Sequence, residues 1–169
     1  MLSLPRKLER NDDSDTFSCG VPELDQWLKK YAYANLRSNN AITYVAEDGG
    51  VIAGYYAIAV AAVDRDAAPD RLNGPDRPGQ IPCILIARLA TDLRFRHRGL
   101  GAGLLRDALE RAAHLSDSVG AAAVLVHARD DEAKSFYHTN GDFLESPVDP
   151  LHLMVPMKDI RNIFLPKYA

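Results

Sequence analysis

Cysteine is scarce in this chain of 169 residues: Cys19 and Cys83 are the only two. Two thiols cannot form a disulfide framework, and their separation is not that of a metal-ligand pair. Long apolar runs are missing as well. No stretch approaches the roughly 18 residues needed to cross a bilayer, and Met1-Leu2-Ser3-Leu4-Pro5-Arg6-Lys7 lacks the apolar core of a secretory signal. Charge does not lean strongly to one sign, since 20 Lys and Arg stand against 23 Asp and Glu, a formal net charge of −3. That excludes a protein coated in positive charge but not a local basic patch. There is no internal repeat and no low-complexity tract. What remains is 47% hydrophobic residues, enough for a core, in a length typical of one domain. A bacterial-type cytosolic enzyme or a small binding domain fits these bounds.

The pattern along the chain predicts alternating helices and strands. Pro22 suits the first turn of a helix, and Leu24, Trp27, Leu28, Tyr31 and Leu36 follow at helical spacing, which predicts an amphipathic helix over 22–37. Residues 41–47 and 51–62 are rich in Val, Ile, Tyr and Ala. Asp48-Gly49-Gly50 between them is a hairpin signal. Residues 64–80, polar and rich in Pro and Gly, read as a loop. Ile81–Thr91 is an apolar run fit for a central strand covered on both faces, and Arg94–Arg98 is a basic turn. Leu100, Leu104, Leu105, Ala108, Leu109 and Ala112 share one face of a helix over 100–115. A short strand over 121–127 follows, then a helix over 131–139 capped by Asp130. Two short strands around Ser146-Pro147 and a helical turn over 158–165 complete the pattern. Strand–helix–strand–helix through the middle implies an α/β fold around a mixed sheet.

Chemistry concentrates in Arg96-His97-Arg98-Gly99-Leu100-Gly101-Ala102. This segment follows a strand and opens a helix. Its glycines allow a tight turn and close approach of a ligand. The free N–H groups and the dipole of the helix start favour an anion there. Taken alone, Gly-x-Gly reads first as a ligand-free strand–helix turn. The absence of Gly-Lys-Ser/Thr argues against a P-loop NTPase, and the absence of Gly-x-Gly-x-x-Gly argues against a Rossmann dinucleotide site.

The strand ending Arg88-Leu89-Ala90-Thr91, followed by Arg96-x-x-Gly99-x-Gly101-Ala102, resembles motif A of the GCN5-related N-acetyltransferases (GNAT). Ala133-Lys134-Ser135-Phe136-Tyr137 with Gly141-x-Phe143 resembles the family's later A-x-x-F-Y-x-x-x-G-F motif. Here Asp142 separates the Gly and Phe, which suggests a one-residue bulge at the start of a strand. Phe17-x-Cys19-Gly20, Leu24-Asp25, Trp27-Leu28 and Gly54-Tyr55-Tyr56-Ala57 resemble one branch, the type II toxins that acetylate aminoacyl-tRNA. The resemblance implies a single GNAT domain over 1–169, with a mixed central sheet flanked by helices and splayed central strands.

It also implies acetyl-CoA as cosubstrate. The backbone of Leu89, Ala90 and Thr91 would pair with the pantetheine arm. Arg96, His97, Arg98, Gly99, Leu100, Gly101 and Ala102 would hold the pyrophosphate, and Phe136 would line the cofactor. Tyr137 would be the acid that protonates the leaving thiolate; read without the family, Phe136 and Tyr137 are first of all two core aromatics, and the motif around them reverses that reading. No metal is implied.

The residues themselves bear on the acceptor. The strand 81–91 carries no Asp or Glu to serve as a base. A lysine amine, with a pKa near 10.4, is mostly protonated at neutral pH, whereas an α-amine near 7.7–8.0 is appreciably neutral. The missing carboxylate therefore favours an α-amine such as that of aminoacyl-tRNA. His97, His114, His127, His138 and His152 are alternative bases with no partner evident in sequence. Cys19 and Cys83 lack a nucleophile signature. Arg6, Lys7, Arg10, Lys29, Lys30, Arg37, Arg88 and Arg94 are the cations available to meet tRNA phosphates. The branch resemblance further implies a ribbon–helix–helix antitoxin, a homodimer and a cytoplasmic setting. Two rivals stand beside it: acetylation of a small-molecule amine or a protein N-terminus, and a non-catalytic acyl-CoA-binding module.

Overall fold

A two-residue strand that no hydrophobic alternation announces, β1 (Arg6–Lys7), opens the fold in the computed structural model, which describes residues 1–166. Next comes the helix expected over 22–37, with Pro22 at its start. It runs as α1 (Pro22–Gln26), a π-helical turn (Trp27–Tyr31) and α2 (Ala32–Arg37). The Ala32 N–H donates to the Trp27 carbonyl five residues back, so one residue is looped out of the α-helical ladder.

β2 (Ile42–Asp48) pairs antiparallel with β1, Arg6 lying opposite Val45. Gly49 and Gly50, at φ of +59° and +83°, form the turn into β3 (Val51–Asp64). Left-handed φ at both central positions is what a tight hairpin requires. β4 (Gln80–Thr91) leads to α3 (Leu100–Leu115), and then β5 (Ala123–His127), α4 (Asp131–Asn140), β6 (Leu144–Glu145), β7 (His152–Pro156) and α5 (Met157–Phe164) follow. The strands form one mixed sheet in the order β1-β2-β3-β4-β5-β7-β6.

Two compact units emerge, Met1–Ala59 with Ala87–Ala108, and Val60–Ile86 with the described residues from Leu109 onward. The core of the first gathers Phe17, Trp27, Leu28, Val45, Ile52, Tyr55 and Ala90. Tyr55 is fully buried, stacks 6.1 Å from Trp27 and meets Phe17 edge-on at 5.6 Å. Its hydroxyl donates to the Leu24 carbonyl at 2.7 Å, so one side chain both fills the core and fastens α1. Each such aromatic pair adds about 0.5–1.5 kcal/mol beyond area burial. Gly54 permits the closest packing: a Cβ there would fall 2.8 Å from Leu104 Cδ1 and 3.1 Å from the Ala90 carbonyl oxygen.

The second unit holds the parallel pairing of β4 with β5, which runs from Cys83 opposite Ala123 to Ile86 opposite Val126. That register stops at Ile86, before the last five residues of β4. Its core includes Leu72, Ile81, Cys83, Leu125 and Met154. The segment 64–80, expected as a polar loop, contributes to this core. Two 3₁₀ turns, Arg65–Ala67 and Asp70–Leu72, bury Leu72 and Ala68, and Arg71 clasps Asp159 of α5 at 2.8 Å. Asp142 makes no bulge. It lies exposed in the connection before β6, and the β6–β7 register, Leu144 opposite Met154 and Glu145 opposite Leu153, is regular. The extra residue is absorbed in coil, where it disturbs no ladder.

Candidate functional site

Asp92, which the sequence reading did not single out, organises the turn between β4 and α3. The residue is 1% exposed. Its carboxylate accepts from the Ser18 N–H at 3.0 Å, the Arg94 N–H at 2.8 Å and the Arg94 guanidinium at 2.9 Å. It thereby caps the 3₁₀ turn Leu93–Phe95 and ties it to the loop around Phe17. Burial works to raise the Asp92 carboxyl, but hydrogen bonds from Arg94 and Ser18 outweigh it and hold it below the usual carboxylate range. An Asp two residues before an Arg, ahead of a glycine turn, was the available signal.

Beyond this anchor the backbone turns sharply. His97 and Gly99 have φ of +61° and +74°, two left-handed residues within three positions. A non-glycine residue there is uncommon, so His97 contributes backbone shape as well as potential charge. The Gly99 carbonyl accepts from the Gly103 N–H at 3.0 Å and starts α3. Helix geometry leaves the N–H groups of Leu100, Gly101 and Ala102 without intrahelical acceptors. With the helix dipole behind them they can hold an anion. Arg96, His97, Arg98 and Gly99 are exposed around this turn. Arg98 lies 5.4 Å from the Phe95 ring centre, and Arg96 spends one N–H on the Cys19 carbonyl at 3.2 Å. Leu89 and Thr91 are half-buried and Ala90 is buried in the core of the first unit, on the part of β4 past the β5 register. Unpaired strand groups need partners, and an extended amide-bearing arm can supply them.

In the second unit, Asp130 caps α4 by accepting from the Ala133 N–H at 2.8 Å. Lys134 meets Glu145 of β6 at 2.7 Å, and His138 lies 3.6 Å from the same carboxylate. Tyr137 sits between two rings, 5.3 Å from Phe136 and 5.4 Å from Phe143. Burial of the phenol pushes its pKa up to about 12. Among the described residues Thr43 Oγ1 is the sole fully buried side-chain polar atom without a hydrogen bond. The Tyr137 hydroxyl also makes no hydrogen bond among the described residues and is not fully buried. Such a phenol is protonated at neutral pH and can donate.

The remaining sequence candidates sort clearly. His127 and His152 stack at 4.0 Å, with His152 3.3 Å from Asp149. Burial first, then the neighbouring His152, lowers the His127 pKa, so His127 is neutral at pH 7. Both thiols are buried, and burial pushes each to about 11, which leaves them unreactive. Arg6 is consumed by Asp12 at 2.8 Å and Glu47 at 2.9 Å. Arg94 is held by Asp92. Lys7, Arg10, Lys29, Lys30 and Arg37 are exposed. Among the described residues no His, Cys, Asp and Glu group could hold a metal ion, and no helix is long and apolar enough to cross a membrane.

Comparison with known proteins decides the family. Residues 8–141 match the acetyltransferase (GNAT) family. This chain belongs to that family. The GNAT chain is 45% identical over 161 residues to a tRNA-acetylating toxin of Mycobacterium tuberculosis, covering 95% of this chain and 96% of the relative. It is 33% identical over 162 residues to a probable toxin TacT of Sinorhizobium fredii, covering 89% and 88%. Among solved structures, AtaT complexed with acetyl-methionyl-tRNAfMet matches with a TM-score of 0.87 at 24% identity, over 97% of this chain and 99% of that one. At that identity the likeness is one of fold. AtaTR bound with AcCoA matches at 0.81 and 26% identity, over 96% and 98%. The enzyme is accordingly an acetyl-CoA-dependent acetyltransferase. The glycine turn, the strand 88–91 and the aromatic-flanked Tyr137 all lie on the elements that the sequence motifs mark.

Proposed function

We propose that this acetyltransferase moves the acetyl group of acetyl-CoA to the α-amine of aminoacyl-tRNA, as the translation-blocking toxin of a type II toxin–antitoxin module. The observation that carries the reading is the 45% identity to a tRNA-acetylating toxin over nearly the full length of both chains. The bare strand 81–91, without Asp or Glu, supports an amine that needs little deprotonation. We read 1–169 as one domain, because β3 and β4 each contribute residues to both compact units.

The residues divide the work as follows. The N–H groups of Leu100, Gly101 and Ala102, with the Arg96–Gly99 turn, hold the pyrophosphate. The backbone of Leu89, Ala90 and Thr91 pairs with the pantetheine arm, and Phe136 lines the cofactor. Acetyl-CoA supplies an activated thioester. The neutral α-amine attacks the thioester carbonyl, the C–N bond forms as the C–S bond breaks, and the amine nitrogen gives its proton to solvent; Tyr137 donates its proton to the departing thiolate sulfur and regains one from solvent. Donation by a positioned group is worth roughly 10²–10⁴-fold. Arg10, Lys7, Lys29, Lys30 and Arg37 supply cations for the tRNA backbone. Related toxins are described bound to the C-terminus of an antitoxin and, with the antitoxin, to DNA. A ribbon–helix–helix antitoxin that covers the active face suits both, and a cytoplasmic homodimer completes the reading.

The test is incubation with labelled acetyl-CoA and total aminoacyl-tRNA. Label on the aminoacyl group is expected, and unlabelled aminoacyl-tRNA overturns the reading. Affinity for tRNA should fall with salt on a log–log slope of about 0.7–0.9 per phosphate contact.

A further inference from the structure

One recess in the first unit has no role in the account above. It holds about 280 Å³ and is lined by Glu23, Leu24, Gln26, Trp27, Tyr31 and Arg88. Two of its lining residues, Trp27 and Tyr31, belong to the π-helical turn, a distortion that is frequent at functional sites. Arg88 lies 4.2 Å over the Trp27 ring. This half-buried guanidinium makes no hydrogen bond or ion pair among the described residues. The indole satisfies one face, while the other face and the N–H donors are uncommitted. Glu23 also lines the recess with no ion-pair partner among the described residues, and Tyr31 offers a largely exposed ring, 54% accessible.

This combination selects a ligand class. A phosphate would gain from Arg88 but meet the Glu23 carboxylate. An aliphatic group would leave both charges unpaired, which is costly. A flat heterocycle with a donor on one edge and an acceptor on another satisfies both, since unpaired bases stack on aromatic rings and on arginine planes. Adenine has that pattern: an exocyclic amine to donate and ring nitrogens to accept. Arg88 immediately precedes Leu89–Thr91, the strand segment assigned to the acetyl carrier's arm, so the recess and that segment share one stretch of β4.

We propose that the recess binds the 3′-terminal adenine of the aminoacyl-tRNA acceptor, stacked on Arg88 and Tyr31, with Glu23 accepting from its exocyclic amine. The proposal rests on aminoacyl-tRNA being the acceptor, and it deepens that reading by assigning the base that positions the reactive ester.

Trp27 is the only tryptophan in the chain, so its fluorescence reports on the recess directly. The trinucleotide CpCpA, titrated into the full-length protein, should quench it saturably. CpCpU, whose last base presents a carbonyl to Glu23, should bind about tenfold or more weakly, and Glu23→Gln should narrow that preference. Arg88→Lys keeps the charge but loses the plane, and should weaken CpCpA about tenfold or more. In turnover, Arg88→Lys should lower kcat/KM for aminoacyl-tRNA relative to a nucleotide-free amino acid ester by a similar factor. Acetyl-CoA affinity, measured by calorimetry, checks that both variants are folded. Equal binding of the two trinucleotides overturns the proposal. So does displacement of CpCpA by acetyl-CoA, which would give the recess to the adenine of the cosubstrate, and so does wild-type tRNA KM in Arg88→Lys. The titration needs no turnover, so failure of tRNA acetylation by the wild-type protein strikes the proposed function and is read separately.

Discussion

In the proposed reaction the glycine turn of the first unit and the Tyr137 helix of the second have opposite kinds of role. The turn would work through backbone. The groups proposed to bind the anion are amides, and the side chains around them act as braces: Asp92 fixes the approach, Arg96 is tied to Cys19, and Arg98 lies near Phe95. The helix would work through a single side-chain atom, the Tyr137 hydroxyl, on a ring set among Phe136 and Phe143. A backbone site is sensitive to φ and to anchoring rather than to any one functional group. A side-chain site fails when one oxygen is removed, whatever the fold does.

The largest contrast should come from Tyr137→Phe. Loss of the hydroxyl should lower kcat by roughly 10²–10⁴-fold, with little change in acetyl-CoA affinity, because the deleted group acts mainly in the transition state. Steady-state kinetics with calorimetry check this, and an unchanged kcat would return Tyr137 to the role of core aromatic. Asp92→Asn should act on the other region through stability. Breaking a buried, charge-assisted cluster should cost about 1–3 kcal/mol in denaturant unfolding and loosen the turn, seen as weaker acetyl-CoA binding. It should also change pH dependence. The native Asp92 carboxyl lies below its usual value, as does that of Asp12, which is hydrogen-bonded to Arg6. The unfolded chain therefore takes up protons first on acidification. Stability from both groups is complete above the ordinary carboxylate pKa of about 4 and drains as pH falls through the native values. The variant should show a shallower acid slope than the wild type.

Gly99→Val places a β-branched residue at a φ of +74°. Strain of about 1–3 kcal/mol is expected, read as a raised Kd for acetyl-CoA. Unchanged affinity would remove the turn from the cosubstrate site. Gly54→Ala should cost a similar or smaller amount, about 1–3 kcal/mol of overpacking against Leu104 and the Ala90 carbonyl. Thermal unfolding measures it. The smallest effect belongs to the thiols. With both near 11, iodoacetamide at neutral pH should leave Cys19 and Cys83 unmodified in the folded protein and activity intact.

Periodicity made the larger elements readable. The face Leu104, Leu105, Ala108, Leu109 and Ala112 is buried as its spacing demands, and Asp48-Gly49-Gly50 turns where such a triplet should. Three features escaped for distinct reasons. β1 is too short to show alternation and exists through its pairing with β2. The segment 64–80 reads as polar because only a few of its residues, Ala68, Pro69 and Leu72 with Ala67 packed beside them, turn inward. The π turn keeps the helical composition while changing the hydrogen-bond ladder, and no residue type marks that change. At the site, the glycine motif and the Phe136-Tyr137 pair were visible as local patterns. Asp92 with Ser18, and Arg88 with Glu23 and with Trp27, join residues more than sixty positions apart, which local pattern cannot connect.

The looped-out residue between Trp27 and Tyr31 has a consequence for how this chain can change. A regular α-helix rotates about 100° per residue, so deleting one position from an uninterrupted helix swings the following segment round its axis. Deleting one inside this turn instead takes out the extra residue and closes the ladder into regular α-helix, so Tyr33 and Leu36 keep the apolar core they pack against. The turn is therefore a place where this helix can lose one residue in register, as the surface connection holding Asp142 can.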